Sequence, residues 1–163
     1  SSTRSASALR VLEGLIAGQP GNPWLLELKA QILFESGQAR AAIAPYQEAV
    51  RLAPDQPLIR QSLAQAAIET GDKTLLRVAV EQLQTAQRQD PEDDGNWHLL
   101  GIAWGKLGDV PRANLALAEE AMLANDIQAA RHFARLAAEG LPQGPARLRA
   151  LDISNAVKKE NRP

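Results

Sequence analysis

The residues best suited to chemistry in this chain are its two histidines, His98 and His132. The sequence contains no His-Glu-x-x-His motif, which excludes a helical zinc site on motif grounds. Cysteine is also absent, which excludes disulfide bonds and cysteine-ligated metals. We therefore expect no metal site and no cofactor in this chain, with both histidines at the surface.

The carboxylates offer no better candidate for catalysis. Glu119 and Glu120 are adjacent, so on a helix their side chains point in different directions and do not form an acid–base pair. The run Glu92-Asp93-Asp94 precedes a predicted helix, where acidic side chains cap the backbone and favour the helix dipole. Gly101 and Gly105 lie in a helical pattern and indicate close helix contact rather than a phosphate loop. We predict no catalytic residue.

The elements that carry these residues repeat along the chain. Three prolines lie 34 and then 37 residues apart: Pro20, Pro54 and Pro91. Three glycines show the same two intervals: Gly37, Gly71 and Gly108. A unit of 34 residues is typical of the tetratricopeptide repeat, a pair of helices that stacks on its neighbours. The sequence predicts an all-α, right-handed superhelical solenoid of about nine helices.

We predict a single domain over residues 1–163 that is built from these helix pairs. Its expected parts are a partial repeat at 5–20, repeats at about 23–56, 57–93 and 94–142, and a capping helix at 145–158. One helix in 94–142 is shared between two units. The three extra residues near Lys73–Leu75 lengthen either a turn or the start of a helix. The first helix matches the second helix of a repeat, so we expect an uncovered apolar flank on it.

Composition narrows the kind of partner. Lys plus Arg number 18 and Asp plus Glu number 19, which gives a net charge of −1. That balance lacks the basic surface that nucleic acid requires. No apolar run is long enough to span a membrane, and no signal peptide is visible. We expect the partners to be proteins or peptides, with no nucleic acid and no membrane span.

The first helices of tetratricopeptide units line a groove, and eight residues are candidates for its lining: Trp24, Glu27, Gln31, Phe34, Gln61, Gln65, Ile68 and His98. None is Lys or Arg, which disfavours a clamp for a peptide carboxylate. The lining is polar and partly acidic, which suits an extended backbone or an adjacent domain. Two interpretations of Trp24 stay open: an apolar strip with Phe34 and Ile68, or burial under the preceding helix or a loop. Trp97 and Trp104 are expected to be core residues.

Particular strings add a family resemblance. They are Asn22–Gly37, Leu115–Ala121 followed by Asp126–Arg131, and Arg147–Ile153. Together they resemble the C-terminal tetratricopeptide domain of BepA-like zinc metallopeptidases. The resemblance implies a periplasmic location in Gram-negative bacteria and a role in outer-membrane protein assembly and quality control. It also implies contact with the assembly machinery, with substrate or with a peptidase domain.

In that family the catalytic zinc lies in an N-terminal peptidase domain. No residue of this chain matches its zinc-binding motif, so no catalytic residue is carried over and zinc is expected only in the domain absent from this sequence. One alternative remains open, a stand-alone tetratricopeptide scaffold or adaptor of the cell envelope.

Overall fold

The computed structural model describes residues 2–157. Within that range the chain forms nine α-helices and no strand, so the predicted all-α class is confirmed. The helices are α1 (Ser2–Gly18), α2 (Pro23–Glu35), α3 (Ala39–Leu52), α4 (Pro57–Thr70), α5 (Lys73–Gln89), α6 (Asp94–Lys106), α7 (Val110–Leu123), α8 (Ile127–Gly140) and α9 (Pro145–Ser154).

The helices fall into two compact units, one with α1–α5 and the other with α6–α9. In the first unit each helix packs against the next, from α1 on α2 to α4 on α5. In the second unit α7 packs against both α6 and α8, and α9 packs against α8 and α7. A helix shared between two repeats must pack against a helix of each repeat, and α7 does so with α6 and α8. The single domain over 1–163 and its repeat boundaries stay predictions.

Glycine and proline set the helix ends at the repeating positions. Gly37, Gly71 and Gly108 have φ angles of 81°, 68° and 82°, in the left-handed region that glycine adopts without a steric penalty. The left-handed cap predicted at Gly37 is confirmed. Asn22 caps the start of α2, since its Oδ1 accepts a hydrogen bond from the Trp24 backbone N–H at 3.0 Å. The glycines thus end the first helix of each pair, and at α2 a side-chain cap marks where the pair begins.

The three extra residues lengthen a helix. Helix α5, the second helix of its pair, has 17 residues, whereas its counterpart α3 has 14. Both begin two residues after a left-handed glycine, Gly71 for α5 and Gly37 for α3. The turn is unchanged, and the buried Ala79 and Ala86 keep the spacing of Ala42 and Ala49, so the insertion adds about one helical turn to the start of α5.

The first helix has an uncovered apolar flank, as predicted. Leu12 of α1 is buried, but Val11 is 65% exposed and Leu15 is 47% exposed. Leu15 is in register with Ala49 of α3 and Ala86 of α5, which are both completely buried. Those alanines are covered because α2 packs on α3 and α4 packs on α5. Among the described residues the extensive packing of α1 is on α2, which leaves this flank open to solvent.

Of the two glycines expected to mark close helix contact, Gly101 does so and Gly105 does not. A Cβ at Gly101 would lie 3.4 Å from Cδ2 of Leu117 on α7, whereas nothing lies within 4 Å of one at Gly105. The expectation that Trp97 and Trp104 are core residues is wrong, since both are half-buried. The Arg112 guanidinium covers part of Trp104, since it lies over the ring, 5.4 Å from the centroid.

The last helix is shorter than the predicted 145–158. It ends at Ser154 because polar side chains capture a carbonyl there: Ser154 Oγ and Asn155 Nδ2 both donate to the Leu151 oxygen, at 2.8 and 3.0 Å. Arg131 of α8 donates to the Ser154 carbonyl at 3.1 Å. The predicted end at Lys158 and the tail that follows lie outside the described residues.

Candidate binding surface

Two helices of the first unit carry matched surface residues. Positions 24, 27, 31 and 34 of α2 correspond to positions 58, 61, 65 and 68 of α4, because 34 residues separate each pair. We use the name α2–α4 face for the surface formed by Trp24, Glu27, Leu28, Gln31, Phe34 and Glu35 of α2 with Leu58, Gln61, Gln65 and Glu69 of α4.

The α2 half of this face is accessible. Trp24 is 54% exposed, which excludes burial under the preceding helix or a loop. Gln31 is exposed and donates through Nε2 to Oε1 of Glu35 at 3.0 Å. Glu27 and Phe34 are half-buried. An indole, an amide and two carboxylates therefore lie within reach of a partner along one side of α2.

The α4 half differs from the prediction at one position. Gln61 is half-buried and Gln65 is exposed, but Ile68 is only 6% exposed and cannot serve as a groove contact. Ile68 lies one turn after the buried Ala64, and α4 is packed between α3 and α5. That packing draws its last turn into the core. The proposed strip of Trp24, Phe34 and Ile68 is therefore wrong.

Leu58 takes the place of Ile68 as the apolar residue of α4. It is 62% exposed and corresponds to Trp24 in the repeat register. Leu28, one turn after Trp24, is also exposed. The signal for Leu58 was present in the sequence as its 34-residue spacing from Trp24.

Tyr46 of α3 lies beneath this face and connects its two halves. Its side chain is 3% exposed and shares a hydrogen bond with Ser62 of α4. Burial raises the pKa of Tyr46, and the nearby carboxylates of Glu27 and Glu35 raise it further. Burial also raises the pKa of Glu27. The carboxylates of Glu27 and Glu35 on α2 thus lie close enough to the α3–α4 contact to change the pKa of Tyr46 there.

The basic side chains of α2 and α4 form their contacts away from the α2–α4 face. Lys29, the one cation of α2, pairs with Glu13 of α1 at 2.5 Å. Arg60, the one cation of α4, donates to the Pro54 carbonyl at 2.8 Å and to Oε1 of Gln82 at 2.8 Å. Between residues 2 and 157, Glu27, Glu35 and Glu69 form no ion pair. The α2–α4 face is therefore acidic.

His98 lies in the second unit, on α6. Its ring is exposed, and Nδ1 lies 3.1 Å from Oε1 of Glu120 on α7. The neighbouring Glu119 accepts instead from Arg149 Nε on α9, at 2.5 Å. The two adjacent carboxylates thus contact different helices, which agrees with the prediction that they form no acid–base pair.

In the described part of the chain, no group of three or more His, Cys, Asp or Glu residues is placed to hold a metal ion. None of the helices formed by residues 2–157 combines the length and hydropathy that crossing a membrane requires.

Comparison with known proteins agrees with the repeat pattern. The tetratricopeptide repeat profile matches residues 2–66. The solved structure of MamA superposes with a TM-score of 0.71 at 20% identity, over 93% of this chain and 85% of that chain. A thermophilic TPR protein of Thermus thermophilus superposes with a TM-score of 0.54 at 20% identity, over 93% and 91% of the two chains. The chain therefore has the tetratricopeptide fold, which supports a protein-interaction module.

A curated relative gives a more particular likeness. The chain is 32% identical to the beta-barrel assembly-enhancing protease of Yersinia pestis over 101 residues, which is 62% of this chain. The aligned stretch makes up 20% of that protein's length, so this chain spans about a fifth of its relative. The resemblance to a BepA-like tetratricopeptide domain is confirmed.

Proposed function

We propose that this chain is the partner- or substrate-binding repeat region of a periplasmic zinc metallopeptidase that acts in outer-membrane protein assembly and quality control. The observation that carries the proposal is the 32% identity to a beta-barrel assembly-enhancing protease. The tetratricopeptide fold supplies the binding role. In this proposal zinc and peptide cleavage belong to a separate peptidase domain, and this chain brings a polypeptide to it.

The α2–α4 face is the surface that we assign to binding. Trp24 and Leu58 are large, exposed and in the same repeat register, so a partner that covers them removes apolar area from water. Aromatic residues such as Trp24 often dominate the free energy of protein association. We expect an unfolded or extended barrel segment to bind here, since such a chain offers apolar side chains and free backbone.

Binding of the purified chain to an outer-membrane β-barrel protein tests the proposal. One sample of the barrel is unfolded in urea and diluted, and the other is folded in detergent. We expect retention of the unfolded sample and little retention of the folded one. Equal retention of both, or of neither, would contradict the barrel assignment and favour the stand-alone envelope adaptor.

Trp24→Ala should weaken this binding and leave the far-ultraviolet circular dichroism unchanged. Leu148→Ala is the matched control, because Leu148 of α9 is 63% exposed and lies in the other unit. A loss of helicity in the Trp24→Ala variant would mean that this side chain supports the fold and not the partner. The isolated chain should also show no chelator-sensitive peptide cleavage.

A further inference from the structure

The acidic character of the α2–α4 face is independent of its apolar residues. Glu27 and Glu35 lie two turns apart along α2, and Glu69 of α4 is in register with Glu35. Glu35 and Glu69 are exposed, and Glu27 is half-buried. Carboxylates that lack a cation partner and lie beside exposed apolar groups favour a ligand that supplies the cation.

The cations of α2 and α4 leave the negative charge of this face uncompensated. Lys29 is drawn to Glu13 on α1, away from its neighbours on α2. The Arg60 guanidinium is held by one backbone carbonyl and one side-chain amide, Pro54 and Gln82. Neither cation neutralises the face, so its negative charge remains available to a ligand.

We propose that the α2–α4 face binds an extended peptide that carries arginine or lysine together with a large apolar side chain. The apolar side chain packs against Trp24 and Leu58, and the basic side chains lie against Glu27, Glu35 and Glu69. A peptide with acidic side chains meets like charge at the same positions. This inference rests on the protein-binding part of the proposed function and adds the charge of the segment that is bound.

Two matched peptides test the inference by fluorescence anisotropy with the whole chain. One is a fluorescein-labelled glycine–serine peptide with one leucine between two arginines, and the other has glutamates in place of the arginines. We expect the arginine peptide to bind about fivefold or more tightly, since each exposed charge contact contributes only modestly. Because these contacts are solvent-exposed, the preference should shrink as salt is raised.

Variants then locate the site. The double variant Glu27→Gln/Glu35→Gln should lose the preference for arginine, whereas Trp24→Ala should weaken both peptides. Glu81→Gln is the control, since Glu81 is an exposed carboxylate on α5. Equal binding of the two peptides, or an unchanged preference in the double variant, would overturn the inference.

The two proposals fail in different ways. A chain that retains an unfolded barrel protein but shows no charge preference contradicts only the acidic-face inference. A chain that prefers the arginine peptide through Glu27 and Glu35 but ignores barrel proteins contradicts only the envelope assignment.

Discussion

Gly140, the last residue of α8, lies directly against Pro111 in the first turn of α7. A Cβ at position 140 would come within 2.5 Å of Cγ of Pro111 and 3.1 Å of its Cβ. The proline ring is rigid, so it cannot move aside as a flexible side chain would. The absence of a side chain at Gly140 therefore permits the close approach of α7 and α8.

Gly140→Ala should destabilise the protein. Overpacking of this kind lowers the free energy of unfolding by about 1–3 kcal/mol, which urea denaturation measures. Gly105→Ala is the control, since nothing lies within 4 Å of a Cβ at that helical position. It should be neutral or raise the free energy of unfolding by up to about 1 kcal/mol. Similar effects of the two substitutions would contradict the contact with Pro111.

Arg60 should stabilise the first unit through the carbonyl of a repeat-marking proline. Its guanidinium donates to Pro54 from Nε and Nη2, and Gln89 of α5 donates to the same oxygen at 2.9 Å. Arg60→Ala removes hydrogen bonds from a charged donor, so we expect the free energy of unfolding to fall by about 1–2 kcal/mol. Arg60→Lys should recover little, because an ammonium cannot contact Pro54 and Gln82 through one planar fork. Arg77→Ala is the control, since Arg77 is exposed on α5. If this substitution lowers the free energy of unfolding by the same amount, the effect comes from charge alone.

Asp72 should stabilise α5 as its N-cap. Its Oδ1 accepts from the backbone N–H groups of Thr74 and Leu75, at 2.8 and 3.1 Å, and Arg40 lies 3.5 Å away. Asp72→Ala should lower the melting temperature by a few degrees, whereas Asp72→Asn keeps a capping oxygen and should cost much less. An equal fall in melting temperature for Asp72→Ala and Asp72→Asn would mean that the ion pair with Arg40, and not the cap, stabilises the protein.

The effect of Asp72 should also depend on pH. The Leu75 N–H first, and then Thr74 and Arg40, hold the pKa of Asp72 below its usual 3.8. A lowered pKa in the folded state gives stability that is present above 3.8 and lost as pH falls through the folded value. The difference in melting temperature between Asp72→Ala and the parent should therefore shrink in acid. A constant difference down to the acid limit would contradict this.

Glu27 should show the opposite dependence. Burial raises its pKa above the usual 4.5, so the folded state favours the protonated carboxyl. The stability linked to that proton is complete below 4.5 and is lost as pH rises through the folded value. Glu27→Gln should therefore melt at a higher temperature than the parent at neutral pH, with no gain below 4.5. Glu81→Gln serves as the exposed control, and a gain independent of pH would contradict burial as the cause.

The sequence by itself determined the period and the helix ends at the repeating prolines and glycines. Pro57 and Gly71 act through their own backbone angles, and Asp72 acts within one helical turn, so their effects need no distant partner. The place of the three-residue insertion was limited in the same way to a turn or the start of α5. The resemblance to the BepA-like domain was likewise carried by strings that can be read directly.

Only the tertiary structure decided which side chains are accessible. Phe34 and Ile68 share one repeat position, yet Phe34 is half-buried and Ile68 is 6% exposed. Burial depends on the helices that flank each position, which are α1 and α3 for Phe34 of α2 and α3 and α5 for Ile68 of α4. The contact of Gly140 with Pro111 is likewise invisible in the sequence, since it joins residues 29 positions apart. Local backbone preferences are encoded within a turn, whereas packing is set by residues that only the fold brings together.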